Sequence, residues 1–206
     1  MGTRRALERR LSVVEGFSDP RPDLEQYLTP ADVASHLLHV ADHRGDLAGR
    51  TVFDLGTGTG MLALGAACRG SARVIGIERD PDALAVAREN ERRVDPPVRV
   101  DWVRGDATRP PVSVGGATVL SNPPFGAQRG NEGADRAFLS AASDLATVSY
   151  TIHNEGSQRF VESFAADHGG TVTDAYAVTL TVPRQFSFHE RERADLAAEA
   201  YRIEWG

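Results

Sequence analysis

Four consecutive residues, Asn122-Pro123-Pro124-Phe125, combine groups that could hold a flat amino group. They follow a short apolar run at residues 117–120, which we predict to be a buried strand. Proline lacks a backbone N–H and fixes φ at about −65°, so the chain must leave the sheet here as a stiff loop. The loop offers a side-chain amide, carbonyl oxygens and an aromatic ring, which could accept the two hydrogens of a planar –NH2 group and stack on it. An isolated Asn-Pro-Pro run is more often an ordinary turn, so the interpretation depends on the rest of the chain.

A second motif is the glycine-rich turn Asp54-Leu55-Gly56-Thr57-Gly58-Thr59-Gly60. A predicted strand at 50–54 leads into it, and a predicted helix at 60–69 follows it. Glycines at such a turn let the backbone approach a ligand closely. The spacing is G-x-G-x-G and differs from the G-x-G-x-x-G that holds a dinucleotide pyrophosphate. The turn therefore indicates a ligand site of another kind.

Acidic residues follow the next two predicted strands. Glu78 ends the strand at 72–78, 24 residues after Asp54, and Asp106 comes just after the strand at 98–103. A carboxylate at the end of the second strand is placed to accept both hydroxyls of a ribose. Each residue alone could belong to an ordinary turn. Beside the glycine turn and Asn122, ligand binding is the better interpretation.

The composition excludes several classes of protein. The chain has 206 residues, 41% of them hydrophobic and 25% charged, which is typical of a globular protein. No apolar run approaches the ~18 residues of a membrane span, and the N-terminus does not resemble a secretory signal. A single cysteine, Cys68, excludes an intramolecular disulfide and a cysteine-built zinc site and favours a cytoplasmic location. The histidines lack H-E-x-x-H spacing, so we expect no bound metal.

The charge balance argues against a protein that holds nucleic acid by non-specific attraction alone. The net charge is −6, and all 23 basic residues are arginine. Non-specific binding to phosphates needs clustered cations. The lack of lysine is equally compatible with a salt-rich cytoplasm and with a GC-rich genome.

Strands and helices alternate from residue 50 onward, which predicts an α/β fold with a mostly parallel sheet and helices on both faces. The predicted strands are 50–54, 72–78, 98–103, 117–121, 146–152, 171–182 and 197–205, and the helices between them are 60–69, 81–93, 134–144 and 155–168. The irregular segments are 15–29, 122–133 and 183–195. Ligands of such sheets bind beyond the carboxyl ends of the strands, so the motifs above should converge at one edge.

Two helices are predicted before this core. Leu7, Leu11 and Val14 recur on one face of the first, and Thr29 is expected to cap the second, which ends near Gly45. We therefore expect a single domain over 1–206, with a helical extension at 1–45 and the core at 50–206.

Taken together, these motifs resemble class I S-adenosylmethionine-dependent methyltransferases that act on adenine N6. Nearly the whole chain resembles the small-subunit ribosomal RNA adenine-N6 methyltransferase family. The matching stretches are 24–30, 122–126, 133–139, 150–153 and 182–189. The resemblance implies a Rossmann-like class I methyltransferase fold with a seven-stranded, mostly parallel sheet and an N-terminal helical extension.

The resemblance also implies roles for individual residues. Asn122 and Pro123 would accept the hydrogens of the target amine, and Phe125 would stack on the base beside Pro124. Most of the residues expected to bind S-adenosylmethionine are assigned to one part of it. The methionine side is assigned to Gln26, Thr29, Gly56, Gly58, Thr59 and Gly60, the ribose to Glu78, and the adenine ring to Asp106 and Ala107; Asp54, Leu62 and Asn122 are also expected to bind the cofactor.

The expected function is methyl transfer to the N6 amine of an adenosine in small-subunit ribosomal RNA. Alternatives are a methyltransferase of another RNA and a protein glutamine N5 methyltransferase. Relatives of the latter kind usually carry tyrosine in place of Phe125 and a further N-terminal domain. A third alternative, a non-catalytic ribosome assembly factor, is disfavoured by the intact Asn122, Asp54 and Glu78. The resemblance implies RNA as a partner and a small zinc-binding activator protein that pairs with an edge strand.

Overall fold

The protein is built around one seven-stranded sheet with the strand order β3-β2-β1-β4-β5-β7-β6. The computed structural model describes residues 2–112, 114–125, 133–183 and 193–206. The strands are β1, Thr51–Leu55; β2, Arg73–Glu78; β3, Val100–Arg104; β4, Ala117–Ser121; β5, Ala146–Asn154; β6, Gly170–Pro183; and β7, Arg193–Trp205. β7 is antiparallel to both its neighbours, and the other pairs are parallel. The predicted seven-stranded, mostly parallel sheet is confirmed.

Helices cover both faces of the sheet. They are α1, Arg4–Leu11; α2, Ala31–His43; α3, Met61–Ala67; α4, Pro81–Val94; α5, Ala134–Leu145; and α6, Gln158–Asp167. Side chains of α1, α2 and α3 share one apolar cluster, and those of α5 and α6 share another. Successive strand residues point to opposite faces, so Val52 joins the first cluster and Phe53 the second. None of the helices within the described ranges is both long and apolar enough to cross a membrane.

The N-terminal extension differs in detail from the prediction. α1 ends at Leu11, so Val14 does not belong to the helix as predicted. Its side chain is nevertheless buried in the core, from the segment that follows the helix. Thr29 does not cap α2; Pro30 holds the N-cap position and makes no side-chain capping bond. Residues 12–30, here called the strap, join the two helices through a short 3₁₀ helix, Pro22–Leu24.

The C-terminal hairpin also departs from the prediction. β7 begins at Arg193, four residues before the predicted start at 197, because pairing with β6 continues to Pro183. The four added residues include Asp195, which has low strand propensity, so pairing with a neighbour overrides the local preference. The family-like residues Gly126, Phe186, Phe188 and His189 lie outside the described residues.

Candidate active site

A cavity of about 340 Å³ opens at the carboxyl ends of the parallel strands, where ligands of such sheets bind. Most of the residues predicted from sequence as site residues line it. These are Gln26, Thr29, Asp54, Gly56, Gly58, Thr59, Leu62, Glu78, Asp106, Ala107, Asn122 and Pro124. Gly60, Pro123 and Phe125 do not line this cavity. The sheet topology therefore brings the separate motifs together as expected.

The glycine turn wraps the cavity floor in a conformation that favours glycine. Gly56, Gly58 and Gly60 have φ values of +67°, +53° and +94°. A Cβ on Gly58 would lie 2.8 Å from Phe17 Cζ, and one on Gly60 would lie 2.7 Å from Trp102 Cη2. Gly60 thus shapes the turn from behind while Gly58 faces the strap.

Asp54 is buried at the base of the cavity. Its Oδ2 accepts hydrogen bonds from Thr57 Oγ1 at 2.6 Å and from Ala63 N at 2.9 Å. Burial raises the pKa of this carboxyl to about 7, although both hydrogen bonds oppose the shift. Because both donors reach Oδ2, the other oxygen is left for a ligand, and a cation there would favour the ionised form.

Glu78 is held in a fixed orientation at the end of β2. Its Oε2 accepts from Gly58 N at 3.0 Å, and Oε1 accepts from Arg79 N and Asp80 N at 2.8 and 2.9 Å. Burial raises the pKa of this carboxyl, and the backbone hydrogen bonds lower it. Oε2 keeps the capacity to accept a further hydrogen bond, as a ribose hydroxyl would require.

Asp106 and Ala107 form the opposite rim. Asp106 Oδ1 accepts from Thr108 N and Thr108 Oγ1, which closes a local turn. The hydroxyl hydrogen bond from Thr108 holds the pKa of Asp106 below its usual range. Ala107 is buried and gives the rim a small apolar surface.

Asn122 projects from the end of β4 with its amide oriented by the strap. Its Nδ2 donates to Thr29 Oγ1 at 3.0 Å. Its Oδ1 is buried and has no hydrogen-bond partner among the described residues. A buried acceptor without a donor is unfavourable, so this oxygen is suited to a donor that a ligand brings.

Phe125 lies in a second, smaller cavity on the far side of Asn122. Pro123, Leu180 and Leu196 line that cavity with it, and Asn154 Nδ2 donates to the Phe125 carbonyl at 3.3 Å. Glu25, Tyr27, Leu28 and Asn122 line both cavities. The stacking role of Phe125 stays a prediction, because in this arrangement its ring packs against the core.

Sequence reasoning missed most of the strap. Phe17, Leu24, Glu25, Tyr27 and Leu28 all line the larger cavity. The available signal was the number of apolar and aromatic side chains in a segment that has neither helix nor strand periodicity. Gln26 was predicted as a cofactor residue, and it lines the cavity while its amide is engaged within the protein: Oε1 accepts from Arg21 N and Nε2 donates to Asp80 Oδ2.

The cavity suits S-adenosylmethionine, as judged by its chemistry. It offers a buried carboxyl group at Asp54, a carboxylate oxygen at Glu78 that can accept from a hydroxyl group, and glycines that admit close backbone contact. Thr59 Oγ1 is a further buried polar atom without a partner among the described residues. Across the described ranges, no group of three His, Cys, Asp or Glu side chains is arranged to hold a metal ion.

Comparison with known proteins agrees with this geometry. Residues 29–148 match the family described as the methyltransferase small domain. The chain is 32% identical to the rRNA N(6)-adenosine-methyltransferase Mettl5 of Drosophila melanogaster, over 98% of this chain and 96% of the relative. It is 30% identical to the rRNA N(6)-adenosine-methyltransferase METTL5 of Danio rerio, over 96% of each. A solved structure from Pyrococcus horikoshii, a candidate RNA methyltransferase, is similar with a TM-score of 0.89 and 37% identity, over 100% of this chain and 98% of the other.

Proposed function

The chain belongs to the methyltransferase small domain family and, within it, to the rRNA N(6)-adenosine-methyltransferases, and on this premise we propose that it methylates the N6 amine of an adenosine in small-subunit ribosomal RNA. It is a methyltransferase that uses S-adenosylmethionine. When bound, that cofactor supplies an electrophilic methyl group. The residues of the chain itself hold the cofactor and present the amine.

The observation that best supports the adenine assignment is the amide of Asn122. Thr29 accepts from its nitrogen, so its oxygen points away from Thr29 as a buried acceptor with no partner in the part of the chain that the structure describes. An adenine N6 amine is a weak nucleophile because its lone pair is delocalised into the ring. Hydrogen bonds to Asn122 Oδ1 and to the Pro123 carbonyl would favour a pyramidal nitrogen, and this preorganised polarity lowers the barrier.

Phe125 is proposed to stack on the target base once the base enters from the side of the smaller cavity. Stacking of this kind contributes about 1–3 kcal/mol per base. In the structure, Tyr27, Leu28 and Phe125 surround the approach to Asn122. The target adenosine must be unpaired or extruded to reach that depth.

The substitution Asn122→Ala tests the assignment of this residue. We expect at least a hundredfold loss of turnover on ribosomal RNA, because oriented polar groups of this kind are worth about 10²–10³ in rate. The measurement is single-turnover methylation with labelled cofactor. A matched variant, Thr29→Val, keeps the acceptor oxygen but frees the amide to rotate, so its loss should be smaller, about five- to tenfold. Undiminished transfer by Asn122→Ala would show that Asn122 is not the acceptor.

The same assay separates the proposed substrate from its alternatives. Labelled cofactor is incubated in parallel with small-subunit ribosomal RNA, other RNAs and protein substrates. Label in an RNA adenosine supports the proposal, and mapping the modified nucleotide identifies the RNA. Label in a glutamine would overturn it, and no label anywhere in spite of cofactor binding would favour an assembly factor.

We further propose that a small zinc-binding activator protein pairs with an exposed sheet edge and that the complex works in the cytoplasm. The sheet ends at β3 and at β6, and β3 carries the half-buried apolar side chains Trp102 and Val103. An edge strand offers unpaired backbone groups to a partner strand. Co-expression of this chain with such an activator should raise the soluble yield of the chain. A monomer that is stable and fully active by itself would contradict this part of the proposal.

A further inference from the structure

Asn90 is a buried amide that lies behind the cofactor cavity and does not line it. It belongs to α4 and is 0% exposed. Its Oδ1 accepts from Glu15 N at 2.9 Å, and its Nδ2 donates to Glu15 O at 2.9 Å. The same Nδ2 donates to Thr59 O at 3.0 Å. One side chain therefore joins the strap to the glycine turn.

The hydrogen-bonding capacity of this amide is fully used. A carboxamide has two N–H groups and one oxygen that can accept two hydrogen bonds. Both N–H groups are engaged, and Arg93 Nη1 is a second donor to Oδ1 at 3.3 Å. The paired bonds to Glu15 imitate those of a neighbouring strand, since they satisfy both the N–H and the C=O of one residue. Neither an aliphatic side chain nor a carboxylate can do this.

The two segments joined by Asn90 both reach the cavity. Phe17 comes two residues after Glu15, lines the cavity, and packs so close to Gly58 that a Cβ there would lie 2.8 Å from its ring. Thr59 lines the cavity from the glycine turn. The distance between Phe17 and the turn is therefore set by a residue that no cofactor atom needs to touch.

The next residue of α4 supports the same turn from another side. Glu91 Oε2 accepts from Trp102 Nε1 at 2.9 Å, and the indole of Trp102 lies against Gly60. The N-cap residue of α4, Asp80, also holds the strap, since it accepts from Gln26. α4 thus fixes both the strap and the glycine turn relative to each other.

We propose that Asn90 is a positioning residue for S-adenosylmethionine, which holds the strap against the glycine turn so that Phe17 closes the cavity. This inference deepens the proposed function but rests only on its cofactor part. It does not depend on the identity of the methyl acceptor.

The test is the affinity of the cofactor for Asn90→Ala, measured by titration calorimetry without RNA. We expect the dissociation constant to rise at least about tenfold, as for the loss of one or two net hydrogen bonds. Turnover at saturating cofactor should stay within about twofold of wild type, because Asn122 and Thr29 are untouched. Unchanged affinity would overturn the proposal. Cofactor binding by the wild-type chain without adenine methylation would instead contradict only the proposed substrate.

Two controls separate positioning from a general loss of stability. Val94→Ala truncates another buried residue of α4 that contacts the core. It should lower the melting temperature without changing the dissociation constant, and an equal loss of affinity would contradict the proposal. Asn90→Asp keeps the shape but turns a donor into an acceptor facing two carbonyls, so it should bind as weakly as Asn90→Ala at pH 8.

A measurement on the wild-type chain keeps the proposal testable if Asn90→Ala does not fold. Hydrogen exchange at the Glu15 N–H reports directly on its bond to Asn90. We expect this amide to be protected in the free protein and more strongly protected with cofactor. Rapid exchange in both states would show that the strap is not held at this point.

Discussion

At the scale of single residues, the site is built from side chains that the protein orients through one atom and leaves open through another. Thr29 holds the nitrogen of Asn122 and leaves the oxygen, while Thr57 and Ala63 both bind one oxygen of Asp54. The chemical type of Asp54 and Asn122 could be predicted, because each lies at the carboxyl end of a strand that the sequence predicts to be buried. Their orientation could not, since the partner of Asn122 is 93 residues away.

We expect Asp54 to make cofactor binding depend on pH. Because its pKa is about 7, the carboxyl is largely protonated below neutral pH and must lose that proton when a cation binds beside it. We expect ionised Asp54 to hold the ammonium of the methionine part, so affinity should fall about tenfold for each pH unit below 7. Calorimetry between pH 5 and 8 in buffers of different ionisation enthalpy checks both the slope and the release of one proton.

Asp54→Asn is the control for that profile, and it separates binding from folding. The amide oxygen can still accept both hydrogen bonds, which preserves the fold. Because an amide carries no charge and does not titrate, cofactor affinity should be low and should not change with pH. The stability effect has the opposite sign. A carboxyl whose folded pKa lies above its ordinary value stabilises below the ordinary value and loses that contribution as pH rises through about 7. The variant without cofactor should therefore exceed the wild-type melting temperature most at pH 8 and less at pH 5, because the contribution is lost progressively between the ordinary pKa and about 7. A lower melting temperature of the variant at pH 8 would contradict the assignment.

At the scale of elements, the alternation of strands and helices was predictable and the strap was not. Apolar runs and breaker residues placed all seven strands. For the inner parallel strands this is because burial on both faces leaves a local signature. The strap has no such signature: it is held at points by α4 and Asn122 rather than by a continuous apolar face. Thr29 shows the difference, since the sequence favours a helix cap and the fold uses its hydroxyl for Asn122.

The contact between the strap and the glycine turn predicts the effect of Gly58→Ala. The new methyl group would lie 2.8 Å from Phe17 Cζ and would push the strap outward. We expect cofactor affinity to fall at least about tenfold, because the wall that Phe17 provides is displaced. Gly70→Ala is the matched control, since Gly70 also has positive φ, at +79°, but a Cβ there meets nothing within 4 Å. If both variants lost affinity equally, backbone strain rather than displacement of Phe17 would be the cause.

At the scale of the whole molecule, a buried polar network ties the extension to the sheet. Asp46, just after α2, accepts from Tyr150 of β5 at 2.6 Å and from Arg202 of β7 at 2.8 Å. Thr118 of β4 also donates to the Asp46 carbonyl at 2.5 Å. The extension is thereby fixed to three strands at the end of α2 opposite Thr29. This position of the network depends on contacts across more than a hundred residues, which periodicity cannot reveal.

Arg202→Met should destabilise the whole protein without altering the site. Removal of one partner leaves Asp46 as an uncompensated buried charge, at a cost of about 3–5 kcal/mol. At roughly 2–4 °C per kcal/mol for a chain of this size, the melting temperature should fall by about 6–20 °C. Cofactor affinity well below the transition should remain within about twofold. The double variant Asp46→Asn with Arg202→Met should recover part of the loss, and an equally large loss would argue against the buried pair as its cause.

The strap also has a consequence for the order in which the molecule can be completed during synthesis. Glu15, Gln26 and Thr29 leave the ribosome before their partners, which are Asn90, Asp80 and Asn122. The strap as a whole therefore cannot make all of these contacts until translation has passed Asn122. By then β1, β2 and β4 have already been synthesised. The strap, although it is synthesised first, is therefore the last of these parts to pack against the cavity. A nascent chain should gain the ability to bind cofactor only after that residue has emerged.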